Sequence, residues 1–545
     1  MDSNQEGQNS SGRTDRILYC CAIAVVLFGA AFVYLRERQT LRQYASIAGN
    51  NNSKLNTVYR VIERYYVDTL DWSKLEEDAI ATMLKELDPH SAYLPKDKLQ
   101  ASNEVLEGNF SGVGIQYQMF RDTVVVLSVI PKGPSDQAGL QAGDRIVAVN
   151  DSVIAGVSMS VNDIPSLLKG PAKTTVRVTV RRPSNDSTFQ KIIIRGAVPL
   201  PSIDVVYMYD ENTGYIKLNK FSRTTQAEFL VAVELLKRQH MRRLILDLRD
   251  NTGGYLEAAI GLLGEIFPKD SLLVYTEGRA RARKEYRGSG HMACRDIDLA
   301  VLIDEATASA SEIVAGAIQD YERGIIVGRR SYGKGLVQEQ MTMRDGSALR
   351  LTVARYYTPL GRCIQKPYTP GDEESYNREI YGRFANGELT RQDSIKNDTV
   401  QIVYTRQSHR ALYGGGGIVP DLFVPLDTSY YSPLVSRISR QGTIINFAFE
   451  YADPLRSQLA QYKDWRSLLK ALDEDDIWTR FKQYAVAHGL RPTDEEWRIS
   501  GDYLRSAVVA GIARHMMGDK GYYPVANLSD RVVEEAFKAL KNRNK

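Results

Sequence analysis

The alternation of short apolar strands with helical patterns between residues 214 and 426 is the feature that most constrains the fold. The strand candidates are brief apolar runs, and the segments between them carry apolar residues at helical spacing. Such alternation is typical of an α/β core, which we expect to be a mixed sheet with helices. The predicted strands are 214–218, 243–248 and 299–303, and the predicted helices are 227–239, 256–267 and 309–321.

Length and composition indicate a multidomain globular protein. With 545 residues the chain is long enough for about three or four domains. Its 43% hydrophobic and 25% charged residues are typical of folded proteins, so most of it is neither disordered nor embedded in a membrane. The net charge of +4 is small, and no basic run is interleaved with aromatic residues. We therefore expect no nucleic-acid partner.

An uncharged apolar segment at residues 17–35 predicts a single transmembrane helix. Its length is close to the ~20 residues that span a bilayer core. It exceeds the apolar part of a usual signal peptide, which favours an uncleaved anchor. Two arginines precede the segment and three follow it, and this excess slightly favours a cytoplasmic location for the part of the chain after the segment. Large domains, however, cross membranes regardless of such charges.

Changes of pattern divide the rest of the chain. Apolar residues at helical spacing predict a small helical segment after the anchor, whereas short strands between Gly, Pro and Asp turns predict a β-rich domain. Residues 367–410 are polar and lack periodic apolar positions, so we expect an inserted surface loop. The predicted divisions are a tail 1–16, the anchor 17–35, a helical segment 36–96, a β-rich domain 97–199, the α/β core 200–428 and a C-terminal helical domain 429–545.

A glycine-containing loop in the β-rich domain predicts a peptide-binding site. Gly112 and Gly114, beside Val113 and Ile115, allow successive backbone N–H groups to converge on a terminal carboxylate. A Gly-x-Gly alone is usually only a tight turn. Together with the segment 133–144, however, the loop resembles that of PDZ domains in bacterial proteases. The resemblance implies that a peptide with a free, apolar C-terminus binds there as an added strand.

Ser309 follows the predicted strand 299–303 and begins the next helix. Glu312 has the spacing of a capping box, which would put the serine at the first helical turn. The free N–H groups and partial positive charge of a helix N-terminus stabilise an oxyanion formed beside such a serine. The simpler interpretation is that Ser309 only caps the helix, and the residues from 309 to 312 alone favour it.

Lys334 lies in a Tyr-Gly-Lys-Gly turn, twenty-five residues after Ser309. A serine hydroxyl needs a neighbouring base to become a nucleophile, and a desolvated lysine loses its proton near neutral pH. Gln338, four residues further on, is able to hydrogen-bond the lysine amine. Lys334 is therefore a candidate general base. A lysine on a turn is otherwise usually a solvated charge, and the turn alone favours that simpler interpretation.

The complete set of motifs resembles the carboxyl-terminal processing, or tail-specific, proteases. The resemblance implies a serine endopeptidase with Ser309 as nucleophile, Lys334 as general base and Gln338 as the residue that orients the lysine. It also implies an oxyanion hole formed by the backbone N–H groups of Gly254 and Ala310, with Gly253 as the alternative to Gly254. The motifs that carry the resemblance are 87–91, 247–254, 307–313, 332–338, 354–362 and 417–421.

The same resemblance implies a location and a class of substrate. A single-pass protein of the inner membrane would hold its catalytic body in the periplasm and cleave envelope proteins near their C-terminal ends. A homo-oligomer or an adaptor protein is a possible partner that the sequence leaves open. Asp247 and Arg249, beside the predicted oxyanion hole, are interpreted as a structural ion pair.

Metal and cofactor chemistry is not expected. Six histidines are scattered singly, and the four cysteines lack a Cys-x-x-Cys spacing. Whether Cys294 and Cys363 pair is left open.

Two other classes of function remain as alternatives. One is a PDZ-based scaffold or chaperone with an inactive protease fold, against which the presence of Ser309, Lys334 and Gln338 together argues. The other is a different acyl-transfer enzyme on a related α/β fold, which would not need a domain that reads carboxylates.

Overall fold

A six-stranded mixed sheet is the centre of the α/β core in the computed structural model, which describes residues 54–182, 187–395 and 401–543. The first two strands are antiparallel, and every later pair of neighbours is parallel. The three strands predicted from the sequence lie side by side within it. In order across the sheet, the strands are Ile203–Met208, Thr213–Leu218, Arg243–Asp247, Asp298–Ile303, Ile325–Gly328 and Leu422–Phe423.

Helices cover both faces of this sheet because successive strand residues point in opposite directions. Leu246 lies in the apolar cluster of one helical layer, whereas the neighbouring Ile245 lies in the cluster on the opposite face. On that opposite face the helix Arg531–Asn542 buries Val533 and Leu540. The α/β core therefore includes a helix from within the predicted C-terminal domain. The first layer consists of Thr225–Lys237, Leu256–Gly264 and Ala310–Asp320.

A second, antiparallel sheet lies in the same part of the chain, and the strand patterns above do not predict it. Its longest strand, Ala348–Tyr357, pairs with Ala92–Leu94 and with Leu336–Thr342. This pairing joins residues 92–94, in the predicted N-terminal helical segment, to the strand just after Lys334. The five strands are Ala92–Leu94, Leu272–Gly278, Arg281–Arg287, Leu336–Thr342 and Ala348–Tyr357.

The β-rich domain contains an antiparallel sheet and a separate pair of strands, Asn109–Gly112 with Gly196–Pro199. Ile115–Phe120 lies at one edge of the sheet and pairs with a single neighbour, Thr123–Val129. Val and Ile side chains from alternate strand positions fill the interior. The remaining elements are the strands Arg145–Val149, Ser152–Val153, Thr175–Arg182 and Ser187–Ile194 and the helices Pro134–Gln137 and Ile164–Leu168.

Helices form both ends of the described chain. The predicted N-terminal helical segment contains Lys54–Tyr65 and Trp72–Lys85, and Lys96–Glu107 follows it. The C-terminal helices enclose an apolar cluster of their own, which includes Phe447 and Phe481. These helices are Pro433–Arg440, Thr443–Ala452, Arg456–Leu459, Trp465–Ala471, Glu474–Ala487, Asp494–Met517 and Asp519–Ala526.

The described residues of the insertion, 367–395 and 401–410, contain regular elements that its composition does not predict. These elements are the helix Glu373–Ala385, a 3₁₀ turn at Gln392–Ser394 and the strand Ile402–Tyr404, which pairs with Ala411–Tyr413. The helix buries a tyrosine and an arginine, and no periodic apolar face appears in its sequence. Its burial depends on hydrogen bonds and ion pairs, which hydrophobic periodicity does not reveal.

The prediction of a transmembrane helix requires correction. Within residues 54–182, 187–395 and 401–543, no helix combines the length and the apolar character that crossing a bilayer requires. Asp494–Met517 has 24 residues, but charged residues such as Asp502 and Arg505 occur along it. The predicted span 17–35 lies outside the described residues. The single transmembrane helix and the inner-membrane, single-pass localisation with a periplasmic body are therefore not carried forward.

The open question of a disulfide is answered for two cysteines. Cys294 and Cys363 are both free. Cys294 is buried, and this burial raises the pKa of its thiol to about 12. It therefore stays a neutral packing residue at physiological pH.

The packing of Arg531–Asn542 predicts that this helix stabilises the α/β core. Leu540 is fully buried against the sheet, so Leu540→Ala should lower the free energy of unfolding by about 2–5 kcal/mol. Urea denaturation of the full chain measures this difference. Leu528, which is 56% exposed, is the matched control, and Leu528→Ala should change stability by less than about 0.5 kcal/mol. Equal effects of the two substitutions would contradict the packing argument.

Candidate active site

Ser309 lies in the short turn between the strand Asp298–Ile303 and the helix Ala310–Asp320. Its backbone angles, φ 57° and ψ −116°, are unusual for a residue with a side chain. The Thr307 hydroxyl donates to the Leu248 carbonyl at 2.9 Å. This bond holds the turn against the end of the neighbouring strand in the sheet, Arg243–Asp247. Strained backbone kept in place by such contacts is common at functional sites.

Glu312 joins the turn that carries Ser309 (residues 304–309, the serine turn) to the turn that carries Lys334 (residues 331–335, the lysine turn). One carboxylate oxygen accepts the backbone N–H of Ser309 at 2.8 Å and that of Lys334 at 2.9 Å. The other accepts the Gly333 N–H at 2.8 Å and the Ser331 hydroxyl at 2.5 Å. The carboxylate is fully buried, and burial raises the pKa of Glu312 to about 7. Two segments far apart in sequence therefore meet at one side chain.

The contact between Glu312 and the Ser309 N–H is the one expected from the capping-box spacing. The contacts with residues 331, 333 and 334 were not expected, because capping concerns only neighbours along one helix. The sequence therefore indicates the contact of Glu312 with the serine turn but not its contacts with the lysine turn.

Tyr356 provides a second link between the same two turns. Its hydroxyl lies within hydrogen-bond distance of the Ser309 carbonyl, at 3.0 Å, and of the Lys334 carbonyl. Tyr356 is fully buried, and burial raises the pKa of its phenol well above the usual value. It therefore remains a neutral hydrogen-bond donor. Tyr356 belongs to the 354–362 motif, but its position along the sequence did not indicate this role.

Lys334 lies in surroundings that favour its neutral amine. Burial is the main cause of a lowered pKa, and the positive charge of Arg350 lowers it further. The negative charges of Glu312 and Asp88 act in the opposite direction. Arg350 and Asp88 were not recognised from the sequence, although Asp88 belongs to the 87–91 motif.

Gln338 hydrogen-bonds a neighbouring strand rather than the lysine amine. Its amide donates to the Thr352 hydroxyl at 3.3 Å, and that hydroxyl donates to Asp88 at 3.0 Å. Asp88 also accepts the Ser91 hydroxyl at 2.6 Å. Gln338 is thus connected to Asp88 through the Thr352 hydroxyl, and the negative charge of Asp88 in turn raises the pKa of Lys334. The predicted direct contact is not among these bonds, and the orienting role of Gln338 stays a prediction.

Gly253 lies against the serine turn, whereas Gly254 packs on the backbone of Phe221. A Cβ atom added to Gly253 would come within 2.8 Å of the Ser309 Cβ and 2.9 Å of the Ala310 nitrogen, so only glycine allows this approach. The Gly253 N–H donates to Asn251 at 2.9 Å and is therefore already used. Ala310 is the first helical residue, and its N–H has no partner within the helix. The occupied N–H argues against Gly253 as an oxyanion donor, and the assignment of Gly254 and Ala310 stays a prediction.

Asp247 and Arg249 form the predicted structural ion pair. The Arg249 guanidinium lies 2.6 Å from Asp247 and 2.8 Å from Asp530. Asp247 also accepts the Tyr215 hydroxyl at 2.6 Å, and Asp530 caps the helix Arg531–Asn542. The positive charge of Arg249 helps to hold the pKa of Asp247 well below its usual value, against the effect of burial.

The predicted carboxylate-binding loop leads into the edge strand of the β-rich domain. Gly112 ends one strand, Val113 is buried, and Ile115 begins the edge strand Ile115–Phe120. The Val113 and Gly114 carbonyls accept backbone N–H groups at 2.9 and 3.0 Å, which fixes the loop to its domain. A peptide added at this edge would therefore lie directly beside the loop.

The fold and this site define a serine-type peptidase with a PDZ domain. Residues 212–375 match Peptidase family S41, and residues 125–182 match the PDZ domain family. Residues 33–98 match the Activating protease CtpB N-terminal domain, and residues 434–518 match a family of unknown function, DUF8443. This chain belongs to peptidase family S41, among the carboxy-terminal processing proteases.

Its curated relatives agree with this assignment. A "Probable CtpA-like serine protease" of Staphylococcus aureus strain N315 is 30% identical over 63% of this chain and 68% of its own length. The "Carboxy-terminal processing protease CtpB" of Bacillus subtilis strain 168 is 29% identical over 70% of this chain and 82% of its own. A solved "Photosystem II D1 C-terminal processing protease" is 26% identical and covers 69% of this chain and 88% of its own, with a TM-score of 0.36.

Proposed function

We propose that this peptidase uses a Ser309–Lys334 dyad, binds protein C-termini through its PDZ domain and cleaves near that end. The observation that carries the proposal is the Glu312 carboxylate, which accepts the backbone N–H groups of both dyad residues. A lysine whose pKa is lowered mainly by burial suits the role of base.

The reaction begins with proton transfer from the Ser309 hydroxyl to the neutral Lys334 amine. The serine oxygen bonds to the substrate carbonyl carbon, and the N–H groups of Gly254 and Ala310 hold the resulting oxyanion. Lys334 returns the proton to the leaving nitrogen as the C–N bond breaks. Water then loses a proton to Lys334 and attacks the carbonyl carbon of the acyl-enzyme. The ester C–O bond breaks, the acid product leaves, and Lys334 returns the proton to the serine oxygen.

Substrate selection is assigned to the loop from Gly112 to Ile115 and to the adjoining edge strand. Main-chain hydrogen bonds along a strand edge supply affinity without regard to sequence, and a terminal carboxylate fixes the register. We infer that the substrates are unfolded chains with free, apolar C-termini. Their restriction to envelope proteins depended on the corrected localisation and is not part of the proposal.

The dyad predicts near-complete loss of activity in two single variants. Ser309→Ala removes the nucleophile, and Lys334→Ala removes the base, which should lower kcat by about 10²–10⁴-fold. The measurement is cleavage of an unfolded protein with an apolar tail. The exposed residues Ser439 and Lys284 provide matched controls, Ser439→Ala and Lys284→Ala, which should retain wild-type rates. Wild-type cleavage by either dyad variant would refute this mechanism and leave open a different catalytic base or nucleophile.

The PDZ assignment predicts that a substrate with an amidated C-terminus is cleaved poorly. Amidation removes the charge that the loop would bind, so KM should rise by about tenfold or more, since 1.4 kcal/mol of binding energy corresponds to tenfold. Steady-state kinetics on one peptide in its acid and amide forms measures the change. Equal KM values for the two forms would remove the C-terminus from the recognition step.

The electrostatics around Lys334 predict opposite pH shifts in two variants. Activity needs the neutral amine, so kcat/KM should rise as pH increases through the pKa of Lys334. Arg350→Gln removes a positive charge, raises that pKa and should move the acid limb to higher pH. Asp88→Asn removes a negative charge, lowers the pKa and should move the limb to lower pH, each by up to about 1 unit.

The pH–rate profile of each variant measures these shifts. Arg344→Gln is the matched control, because Arg344 is an exposed arginine in the turn that precedes the strand of Arg350. Its profile should coincide with that of the wild type. Shifts of the same sign in Arg350→Gln and Asp88→Asn would be incompatible with Lys334 as the titrating base.

A further inference from the structure

The inserted segment 367–410 contacts the turn that carries Lys334. Arg383, on the insertion helix Glu373–Ala385, is 2% exposed. Its guanidinium donates to the Ser331 carbonyl at 2.7 Å and to the Tyr332 carbonyl at 3.1 Å. These carbonyls immediately precede Gly333 and Lys334. A side chain of the insertion is therefore bonded to the backbone beside the proposed base.

The lysine turn is held from two sides by opposite charges. Glu312 accepts the N–H groups of Gly333 and Lys334, whereas Arg383 donates to the two carbonyls before them. The glycines on both sides of Lys334 allow close approach of their surroundings, since a Cβ on Gly333 would lie 3.0 Å from the Lys366 Cβ and one on Gly335 2.8 Å from the Gln365 nitrogen. The position of the turn thus depends on groups outside it.

Arg383 is itself fixed by neighbours within and beside the insertion. Glu379, one turn earlier on the helix, accepts from Arg383 at 2.7 Å and from Lys366 at 3.1 Å. The Lys366 ammonium lies 4.0 Å from the centre of the Tyr332 ring and 4.2 Å from that of Tyr376. These contacts leave the guanidinium little freedom to turn away from the two carbonyls.

Tyr376 connects the insertion to the other end of the turn. Its hydroxyl lies 3.1 Å from His90 Nε2 and accepts from the Gln365 amide at 3.2 Å. The side-chain amide oxygen of Gln365, Oε1, accepts the Gly335 N–H at 2.8 Å. The insertion therefore bonds directly to the chain before Lys334 and reaches Gly335, just after it, through Gln365.

We propose that the insertion 367–410 positions the lysine turn for catalysis, with Arg383 as the positioning residue. The inference rests on the proposed Ser309–Lys334 dyad. Arg383 is buried, and its described hydrogen bonds are all to groups of the protein, so it acts by holding the turn that carries the Lys334 amine. A displacement of the base by about 1 Å is enough to cost about 100-fold in rate.

The test compares three variants of the full chain. Arg383→Ala removes both bonds to the turn, whereas Arg383→Lys keeps one positive donor. Arg378→Ala is the matched control, because Arg378 lies on the same helix with its side chain 69% exposed and paired only with Glu374 among the ion pairs described. Each protein is measured for kcat, KM, pH–rate profile and thermal unfolding.

Arg383→Ala should lower kcat by about 10–100-fold with KM changed less than about twofold. A looser turn admits water to the amine, so the acid limb should also move to higher pH. Arg383→Lys should recover part of the rate, and Arg378→Ala should match the wild type. The charged and titratable groups that face Lys334, namely Arg350, Glu312, Asp88 and His90, are unchanged in all three variants.

A folded Arg383→Ala protein with wild-type kcat and pH profile would overturn the inference. If that variant does not fold, Tyr376→Phe decides, because it removes only the hydroxyl that meets His90 and Gln365. A lowered kcat with a shifted acid limb in Tyr376→Phe would support the inference, and an unchanged profile would overturn it. Lys334→Ala, measured in parallel, identifies the separate case in which the dyad itself is wrong, since that variant would then stay active.

Discussion

The buried carboxylate of Glu312 holds the two turns of the candidate site together. It satisfies four donors from the serine turn and the lysine turn, so neither turn can shift without leaving a buried polar group unpaired. Such a loss costs more than the bond contributes, because the donor would then be desolvated without a partner. The strained backbone of Ser309 is kept in place by this network and by Tyr356.

The C-terminal helices contact two other parts of the chain, the peptidase core and the PDZ domain. Arg249, at the end of a central strand, bridges Asp247 and Asp530, and Asp530 caps the helix that covers the second face of the sheet. The other C-terminal helices contact the PDZ domain, where Phe449 lies 4.2 Å from the ring of Phe120 at the end of the edge strand. The helical C-terminal part thus packs against both the peptidase core and the peptide-binding domain.

The elements that the sequence predicted well are those with regular apolar spacing. The strand 299–303 and the helix after it lie within one or two residues of the predicted bounds, because burial on a sheet imposes a pattern that can be read locally. The helix Glu373–Ala385 was missed for the opposite reason. It is buried through Arg383 and Tyr376, whose partners lie far away in sequence. The antiparallel sheet that carries Gln338 was missed because its strands come from three segments that lie far apart in sequence.

Local spacing and ordered motifs are enough to identify the family, the α/β core, the PDZ domain and the candidates Ser309 and Lys334. The three-dimensional fold was needed to show that the backbone N–H groups of both candidates bond to one side chain. The meeting point is a carboxylate that looked like a helix cap, and Asp88, Arg350 and Arg383 act around it from separate segments. Electrostatic and hydrogen-bond effects depend on distance in space, which a linear pattern does not contain.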